Sequence, residues 1–408
     1  MHILFLTDNF PPEVNAPASR TYEHAVRWIA KGCKVTIITC FPNFPDGKIF
    51  PGYKNKWYQN ELIDGINVVR VKSFMSANEG FFLRTIDYLS FMITSFFAGF
   101  FQKKPDVIVA TSPQFFTAIA GYLIAVFRRR PFIFELRDIW PASIVAVGAM
   151  KKNLTVIFLE KLELFLYKKS DAIISLTDSF KVELTERGIE PNKIHVVLNA
   201  VDLDFYQPFE VKDSKLVIEY SLQNKFIVGY IGTHGMAHGL EIVIQAARQL
   251  IHEPEIIFMM VGSGATKKNL EEAVKRENLN NILFIDAQPK KLIRGYFSLC
   301  DLSLIHLKNH KVFSKVIPSK LFESMGMGIP ILMSIPQGEA TKIVSDFNCG
   351  VIIPPENGRI LAKNILELKS NKIKLNKLKH ASKKASFHFS RDIKALEMLN
   401  ILRNFSKK

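Results

Sequence analysis

Short apolar runs alternate with longer helical patterns along the whole sequence, and the alternation occurs twice. Residues 3–7, 35–39, 68–72, 107–110, 132–136 and 172–176 read as strands, with helical stretches such as 19–30 and 154–169 between them. The pattern restarts near residue 225. Strands are expected at 226–231, 256–261, 282–285, 302–306, 331–334 and 350–353, with helices at about 239–251, 267–277, 289–298, 319–327 and 338–347. Such alternation predicts α/β architecture with a parallel, doubly wound sheet in each half. The segment 199–223 contains Pro208, opens without a strong element and reads as a linker. Ligands of doubly wound sheets bind outside the carboxyl ends of the strands, so the expected site is a cleft where the two sets of strand ends face each other.

The length of 408 residues fits two domains, and 48% hydrophobic with 23% charged residues excludes a disordered or collagen-like chain. The net charge is +16, and most of the excess lies beyond residue 358, where fourteen lysines and arginines face Glu367, Asp392 and Glu397. That bias fits an anionic partner: a membrane surface, a nucleic acid or a phosphorylated ligand. Cys33, Cys40, Cys300 and Cys349 form no CxxC pair, which speaks against a zinc ribbon or dithiol site and for a reducing compartment. The first residues lack a basic region and a cleavage site, so they read as a first strand and not a signal peptide. Residues 81–101 are the nearest approach to a transmembrane segment, but they carry Arg84 and Asp87, and the uncharged part is too short to span.

Residues 317–330, IPSKLFESMGMGIP, are the most informative. Pro318 and Ser319 suit a helix start, with Ser319 as a candidate cap, and Gly326 and Gly328 suit its end. The free N–H groups of such a helix attract phosphate, Lys320 adds charge in its first turn, and Glu323 can accept hydrogen bonds from a ribose diol. An ordinary capped helix with an exposed Lys–Glu face explains the same spacing. In residues 228–241, VGYIGTHGMAHGLE, a strand enters a loop with Gly232, Gly235 and Gly239, where glycines permit close approach to a diphosphate and His234 and His238 can donate to it. A tight β–α turn is the alternative. In ELRDIWP, residues 135–141, an arginine and two acids follow a strand end, and Asp138 can orient a sugar hydroxyl or assist proton transfer; a salt-bridged loop is the alternative. FPPEVNAPASR, residues 10–20, follows the first strand. Asp202-Leu-Asp204 has the D-x-D spacing of metal-dependent sugar transferases but sits in the expected linker, and Gly262-Ser-Gly264 reads as a plain turn. Residues 81–101, rich in Phe, and 115–127, ending in three arginines, have the apolar body and basic rim of an interfacial anchor; the second reads better as core.

Taken together, these four motifs resemble the GT-B glycosyltransferases of family GT4, over essentially the whole chain and in the expected order. The subgroup it resembles contains bacterial surface-polysaccharide enzymes, L-fucosamine (N-acetyl-L-fucosamine) transferases among them, whose members also show stretches like PNFPDGKIFPGYKNKWY at residues 42–58. The resemblance implies an acceptor-binding domain at 1–200, a nucleotide-sugar domain at 201–385, and a C-terminal helix within 386–408 that crosses back onto the first domain. It implies a metal-independent hexosyltransferase acting on a UDP-sugar, with no other cofactor, and retention of anomeric configuration. Glu323 matches the second Glu of the family's Glu-x7-Glu motif, which binds the ribose, whereas Lys315 stands in the place of the first. The family's diphosphate-binding Arg and Lys fall near Thr233 and His238, so His238, Lys320 and helix N–H groups are expected to share that task. Gln288 and Pro289 occupy the position that cradles the base, and Asn15 and Ala16 stand where many members have two glycines near the donor phosphate and acceptor.

The expected donor set is therefore Gly232, Thr233, His234, Gly235, His238, Gln288, Pro289, Ser319, Lys320 and Glu323. The expected acceptor set is Asn15, Ala16, Arg20, Arg137 and Asp138, with Asp138, Glu323 and Lys320 as catalytic groups. The charge growing on the departing nucleoside diphosphate would be met by Lys320 and helix N–H groups. The expected acceptor is a polyprenyl-diphosphate-linked saccharide in O-antigen or capsule biosynthesis, at the inner face of the cytoplasmic membrane, with the protein cytoplasmic and peripheral and no nucleic-acid partner. The rival readings are a UDP-sugar epimerase of the same fold and a basic nucleic-acid-binding protein; the second lacks a recognisable binding module with interleaved aromatic and basic residues.

Overall fold

The computed structural model describes residues 1–44, 46–76, 81–112, 114–141 and 153–406, and the side chains of all of these except Phe81 and Phe82. Positions 45, 407 and 408, which fall within the 42–58 stretch and the basic tail, lie outside the described residues. The chain divides into two compact units. The first comprises Met1–Asn199 and Arg391–Lys408, and the second Ala200–Ser390.

The first unit is built on an eight-stranded sheet in the order β3-β4-β2-β1-β5-β6-β7-β8. Its strands are β1 (His2–Leu6), β2 (Lys34–Cys40), β3 (Tyr58–Ile63), β4 (Ile66–Val71), β5 (Val107–Thr111), β6 (Phe132–Leu136), β7 (Ala172–Ser175) and β8 (Ile194–Val196). All pairings are parallel except β3 against β4. The central strands are covered on both faces and so read as unbroken apolar runs. β3 escapes that pattern. It is an edge strand of alternating exposure, YQNELI, joined to β4 by Asp64-Gly65 with both residues at positive φ, which is the two-residue hairpin turn that Asp-Gly favours. The order changes direction between β1 and β5.

Helix α1 (Ala16–Ala30) follows β1 and is capped by Asn15, whose Oδ1 accepts from Ala18 N at 3.0 Å. The α2 (Phe81–Phe100), α3 (Phe115–Arg128), α4 (Leu154–Lys169) and α5 (Asp178–Glu186) helices link the later strands. The final helix of the chain, Arg391–Ser406, packs on α1 within the same unit. Trp28 Nε1 donates to Ala395 O at 2.9 Å, and Met398, Leu399 and Leu402 are fully buried in one core with Phe5 and Trp28.

The second unit holds a six-stranded, wholly parallel sheet in the order β11-β10-β9-β12-β13-β14. Its strands are β9 (Phe226–Ile231), β10 (Ile256–Val261), β11 (Ile282–Ile285), β12 (Leu302–His306), β13 (Ile331–Ser334) and β14 (Gly350–Ile353), and the helices α7 (Glu241–Gln249), α8 (Lys267–Arg276) and α9 (Lys290–Leu299) link the first four. This is the dinucleotide-fold order, with its switch between β9 and β12. The expected linker is corrected here. Residues from 200 onward belong to the second unit: Val201 and Tyr206 are buried, Val201 N donates to Phe389 O at 2.9 Å, and Ser214–Glu219 form helix α6, whose cap Asp213 accepts from Lys215 N and Leu216 N. The segment that opens without a strong element is tied down by these contacts and by Lys212, whose Nζ pairs with Asp301 Oδ2 at 2.6 Å. The last helix, expected at about 391–405, runs from Arg391 to Ser406.

Candidate functional site

The switch of the second sheet places the ends of β9 and β12 side by side, and three groups of residues meet there. Gly232 follows β9 with φ +144°, and a Cβ on it would lie 3.3 Å from both Cε and Nζ of Lys320. Lys320 sits in the first turn of α10 (Ser319–Gly326) and is buried. Its Nζ lies 3.8 Å from the centroid of the Tyr230 ring and has no hydrogen-bond partner among the described residues. Burial lowers its pKa to about 7, against a smaller upward pull from Glu323. The expected cap is corrected: Pro318 occupies the N-cap, Ser319 is the first helical residue, and no side chain caps the helix. The first turn thus offers N–H groups and one poorly solvated ammonium on the same side.

His234 and His238 follow Gly232 but differ in setting. The His234 ring is fully buried beside Tyr230 and Phe284, with neither nitrogen hydrogen-bonded among the described residues. Burial, then the charges of Lys267 and Lys320, lower its pKa to about 4. His238 Nδ1 faces His306 O at 3.4 Å, and its ring abuts Tyr230; burial and then Lys320 hold it well below the usual histidine range. Both rings are neutral at pH 7 and can bind an oxyanion through an N–H but supply no charge. Lys320 is the charge in this group.

The sequence pattern missed His306, the last residue of β12 and fully buried. Its Nε2 accepts from Glu356 N at 3.1 Å, which leaves Nδ1 to donate to His238 O at 2.5 Å. Its place at the carboxyl end of a central strand was the available signal. Gly262 and Gly264, expected to be a plain turn, brace the loop from behind. A Cβ on Gly262 would stand 2.0 Å from Gly232 O, and one on Gly264 would stand 2.6 Å from His234 O. No larger residue fits at either position without moving the loop.

The remaining expected donor residues lie around this centre. Thr233 is exposed and its carbonyl accepts from Tyr230 Oη at 2.7 Å. Gly235 caps the 3-10 turn Met236–His238. Glu323 is half-buried one turn along α10 from Lys320. Gln288 and Pro289 follow β11 at the sheet edge, two strands from β9, where Gln288 Nε2 donates to Asp286 O at 3.1 Å. Asp202 is turned to its own backbone, its Oδ1 accepting from Asp204 N at 3.2 Å.

In the first unit, the switch between β1 and β5 gathers Asp8, Ser112, Arg137 and Asp138. Ser112 Oγ accepts from Arg137 N at 2.8 Å and Asp138 N at 3.4 Å, which fixes the turn after β6. Arg137 Nη1 has no hydrogen-bond partner among the described residues, and burial lowers its pKa to about 10, against the pull of Glu135. Asn15 and Ala16 start α1, with Asn15 Nδ2 on Asn9 Oδ1 at 2.5 Å. Arg20, expected at the acceptor, is instead 1% exposed and committed to the interior. Its Nε pairs with Glu135 Oε1 at 2.9 Å, and its Nη1 and Nη2 donate to Leu198 O and Val197 O. Burial alone would raise the Glu135 carboxyl, but Arg20 and Arg137 outweigh it and hold it below the ordinary range. The sequence pattern also missed a set of acids that burial raises: Asp8, whose carboxyl lies above its ordinary range, and the pair Glu13 and Asp87, which burial pushes up to about 7.

The family model for group 1 glycosyl transferases matches residues 214–385, and the one for glycosyltransferase family 4 matches residues 18–205, so the two together take in most of the chain. The chain belongs to the family 4 glycosyltransferases. Among its relatives is the colanic acid biosynthesis glycosyl transferase WcaI of Escherichia coli K12, 26% identical over 340 residues, which span 80% of this chain and 82% of that one. The transferase also shares its GT-B fold with solved structures. HepE of Anabaena in complex with UDP and glucose has a TM-score of 0.73 at 18% identity, covering 98% of this chain and 99% of that one. A sucrose-phosphate synthase from Thermosynechococcus elongatus has a TM-score of 0.81 at 16% identity, covering 99% and 98%. The switch point that holds Lys320 and the glycine loop falls within the part of the transferase that the group 1 model matches.

Proposed function

We propose that this transferase moves a sugar from a UDP-sugar to a saccharide acceptor in bacterial surface-polysaccharide biosynthesis. The observation that carries the reading is the buried Lys320 ammonium, unpartnered among the described residues, at the uncapped start of α10 and against Gly232. An ammonium in that state gains most from an anion brought to it, and a departing diphosphate gains negative charge as the glycosidic bond breaks. Lys320, the N–H groups of α10 and the N–H of His238 would receive that charge. Glu323 would hold the ribose, and Gln288 and Pro289 would flank the base. The UDP in the HepE structure and the colanic acid role in the name of WcaI support this donor and this pathway class.

On the acceptor side, the reading assigns Asp138 to the attacking hydroxyl and Arg137 and Asn15 to its neighbourhood, with Arg20 acting from behind through Glu135. A lipid-linked saccharide is the acceptor class, and an N-acetylated deoxy sugar such as N-acetyl-L-fucosamine is the donor sugar suggested by the 42–58 stretch. The test is calorimetric titration of UDP and a panel of UDP-sugars into the wild type and into Lys320→Ala. Micromolar UDP binding that the substitution weakens supports the reading, and equal binding by both proteins overturns it.

A further inference from the structure

Tyr58 at the start of β3 pairs with Val71 at the end of β4, and the pairing carries on one step to Trp57 and Lys72, where Lys72 N donates to Trp57 O at 3.4 Å. Residues opposite each other in a ladder share a face. Lys72 Nζ accordingly lies over the Trp57 ring, 4.5 Å from its centroid. The neighbouring chain closes around this pair. Asn55 grips Ser73 with both ends of its amide, Nδ2 donating to Ser73 O at 2.7 Å and Oδ1 accepting from Ser73 N at 3.3 Å. Helix α2 is fastened to the same strand end: Thr94 Oγ1 donates to Lys72 O at 2.8 Å, and Ser90 Oγ accepts from Phe74 N at 2.7 Å.

These bonds frame a cavity of about 490 Å³ within the first unit, lined by Ile49, Asn55, Trp57, Lys72, Ser73 and Phe74 among others. Three of its features are left over by the fold. Of the three tryptophans in the chain, Trp28 and Trp140 are buried, whereas Trp57 is 73% exposed. Ser73 is 3% exposed, yet its Oγ has no hydrogen-bond partner among the described residues, a cost that a ligand hydroxyl would remove. The charge has one sign. Lys72 is half-buried at the cavity, Lys48, Lys54 and Lys56 are exposed on the loop before Trp57, and no acid occurs between Asp46 and Glu61.

A pyranose ring that bears a carboxylate answers all three. Its C–H face rests on the indole, a ring hydroxyl satisfies Ser73 Oγ, and the carboxylate meets the Lys72 ammonium. A purely apolar ligand would leave the Ser73 hydroxyl as it is. We infer that this cavity is a subsite for an acidic sugar, of the uronate class, within the acceptor saccharide. Lys72 follows β4 and Asp138 follows β6, at the same carboxyl edge of the sheet, with β2, β1 and β5 between them. Four strand spacings are about 19 Å, the reach of several sugar units. A saccharide whose terminal hydroxyl meets Asp138 therefore carries an earlier unit to Trp57. The inference rests on the proposed function for the acceptor at Asp138, and it adds a charge requirement on that acceptor.

The experiment is acrylamide quenching of the tryptophan fluorescence of the full chain. The ligands are a tetrasaccharide of alternating glucuronic acid and N-acetylglucosamine and its carboxyl-reduced form. The acidic tetrasaccharide shields Trp57 and lowers quenching severalfold, and the neutral form binds about tenfold more weakly. Added salt narrows the difference. Lys72→Met abolishes the preference for the acidic form, and Lys72→Arg retains it. Ser73→Ala weakens both ligands alike. Trp57→Leu, followed by calorimetry, binds the acidic form about tenfold more weakly than the wild type. UDP titration of each variant, unchanged from the wild type, confirms that it is folded. Tetrasaccharides that leave Trp57 as quenchable as before, equal binding of the two forms, variants that bind like the wild type, or shielding by phosphatidylglycerol vesicles and not by saccharide, each overturns the inference. UDP binding without shielding sinks this inference alone. Shielding without UDP binding sinks the donor reading and leaves the saccharide subsite standing.

Discussion

The Lys320 ammonium lies over the Tyr230 ring at 3.8 Å, and no hydrogen-bond acceptor among the described residues reaches it. Its lowered pKa, about 7, is the result of that confinement. A bound diphosphate would restore the charge, so binding takes up a proton. UDP affinity is then greatest below pH 7 and falls as pH rises above it. Calorimetry in buffers of different ionisation enthalpy reads the proton directly. Lys320→Ala removes a charge-assisted bond of about 1.5–3 kcal/mol, a loss of roughly tenfold to a hundredfold in affinity, and abolishes the proton uptake.

His234 gives a second pH effect, on stability. Its folded pKa of about 4 lies below the unfolded value near 6.5, so the unfolded chain binds the proton first as pH falls. Stability from this group is complete above pH 6.5 and declines down to about pH 4, by on the order of 3 kcal/mol. The His234→Phe ring would rest against Tyr230 and Phe284 with no polar atom to satisfy. We expect unchanged or higher stability at pH 7 and a flatter acid limb in urea titrations; a steeper limb than wild type contradicts this. Weaker UDP binding by the same variant would mark the ring as a donor contact.

Gly262→Ala tests whether the glycine loop is braced as described. The added carbon cannot coexist with Gly232 O at 2.0 Å, so the loop must shift. The expected cost is about 2–4 kcal/mol in chemical denaturation, together with weaker UDP binding. A variant as stable as wild type contradicts the packing.

Arg20 and Asp138 separate structure from chemistry. Arg20→Met strands the buried Glu135 carboxylate and two carbonyls, for an expected loss of about 3–5 kcal/mol. Asp138→Asn is half-buried and isosteric, and is expected to leave the melting temperature within a few degrees of wild type while transfer collapses. Equal transfer by Asp138→Asn and wild type would remove Asp138 from the reaction.

What the sequence revealed, and what it hid, follows from the physics of each segment. The strands covered on both faces, such as FIFEL and FIVGYI, announce themselves as apolar runs. β3 did not, since an edge strand needs no such run, and its Asp64-Gly65 turn was the overlooked signal. The position of Lys320 was legible from the Pro-Ser-Lys helix start, but its confinement depends on Tyr230 and Gly232, ninety residues away in sequence. Arg20 was assigned to the acceptor because the carbonyls that hold it, at 197 and 198, lie far along the chain. Side-chain setting is a property of the folded assembly of segments, and local pattern does not carry it.

The helix Arg391–Ser406 completes the core that β1 and α1 begin, although the whole of the second unit is translated before it. Trp28 leaves the ribosome 367 residues ahead of its partner Ala395. The sheet of the first unit must therefore wait, with an apolar flank uncovered, while the second unit is made. In this topology the order of synthesis and the order of completion are reversed, and the nascent chain is most vulnerable to chaperones, proteases and aggregation in that interval.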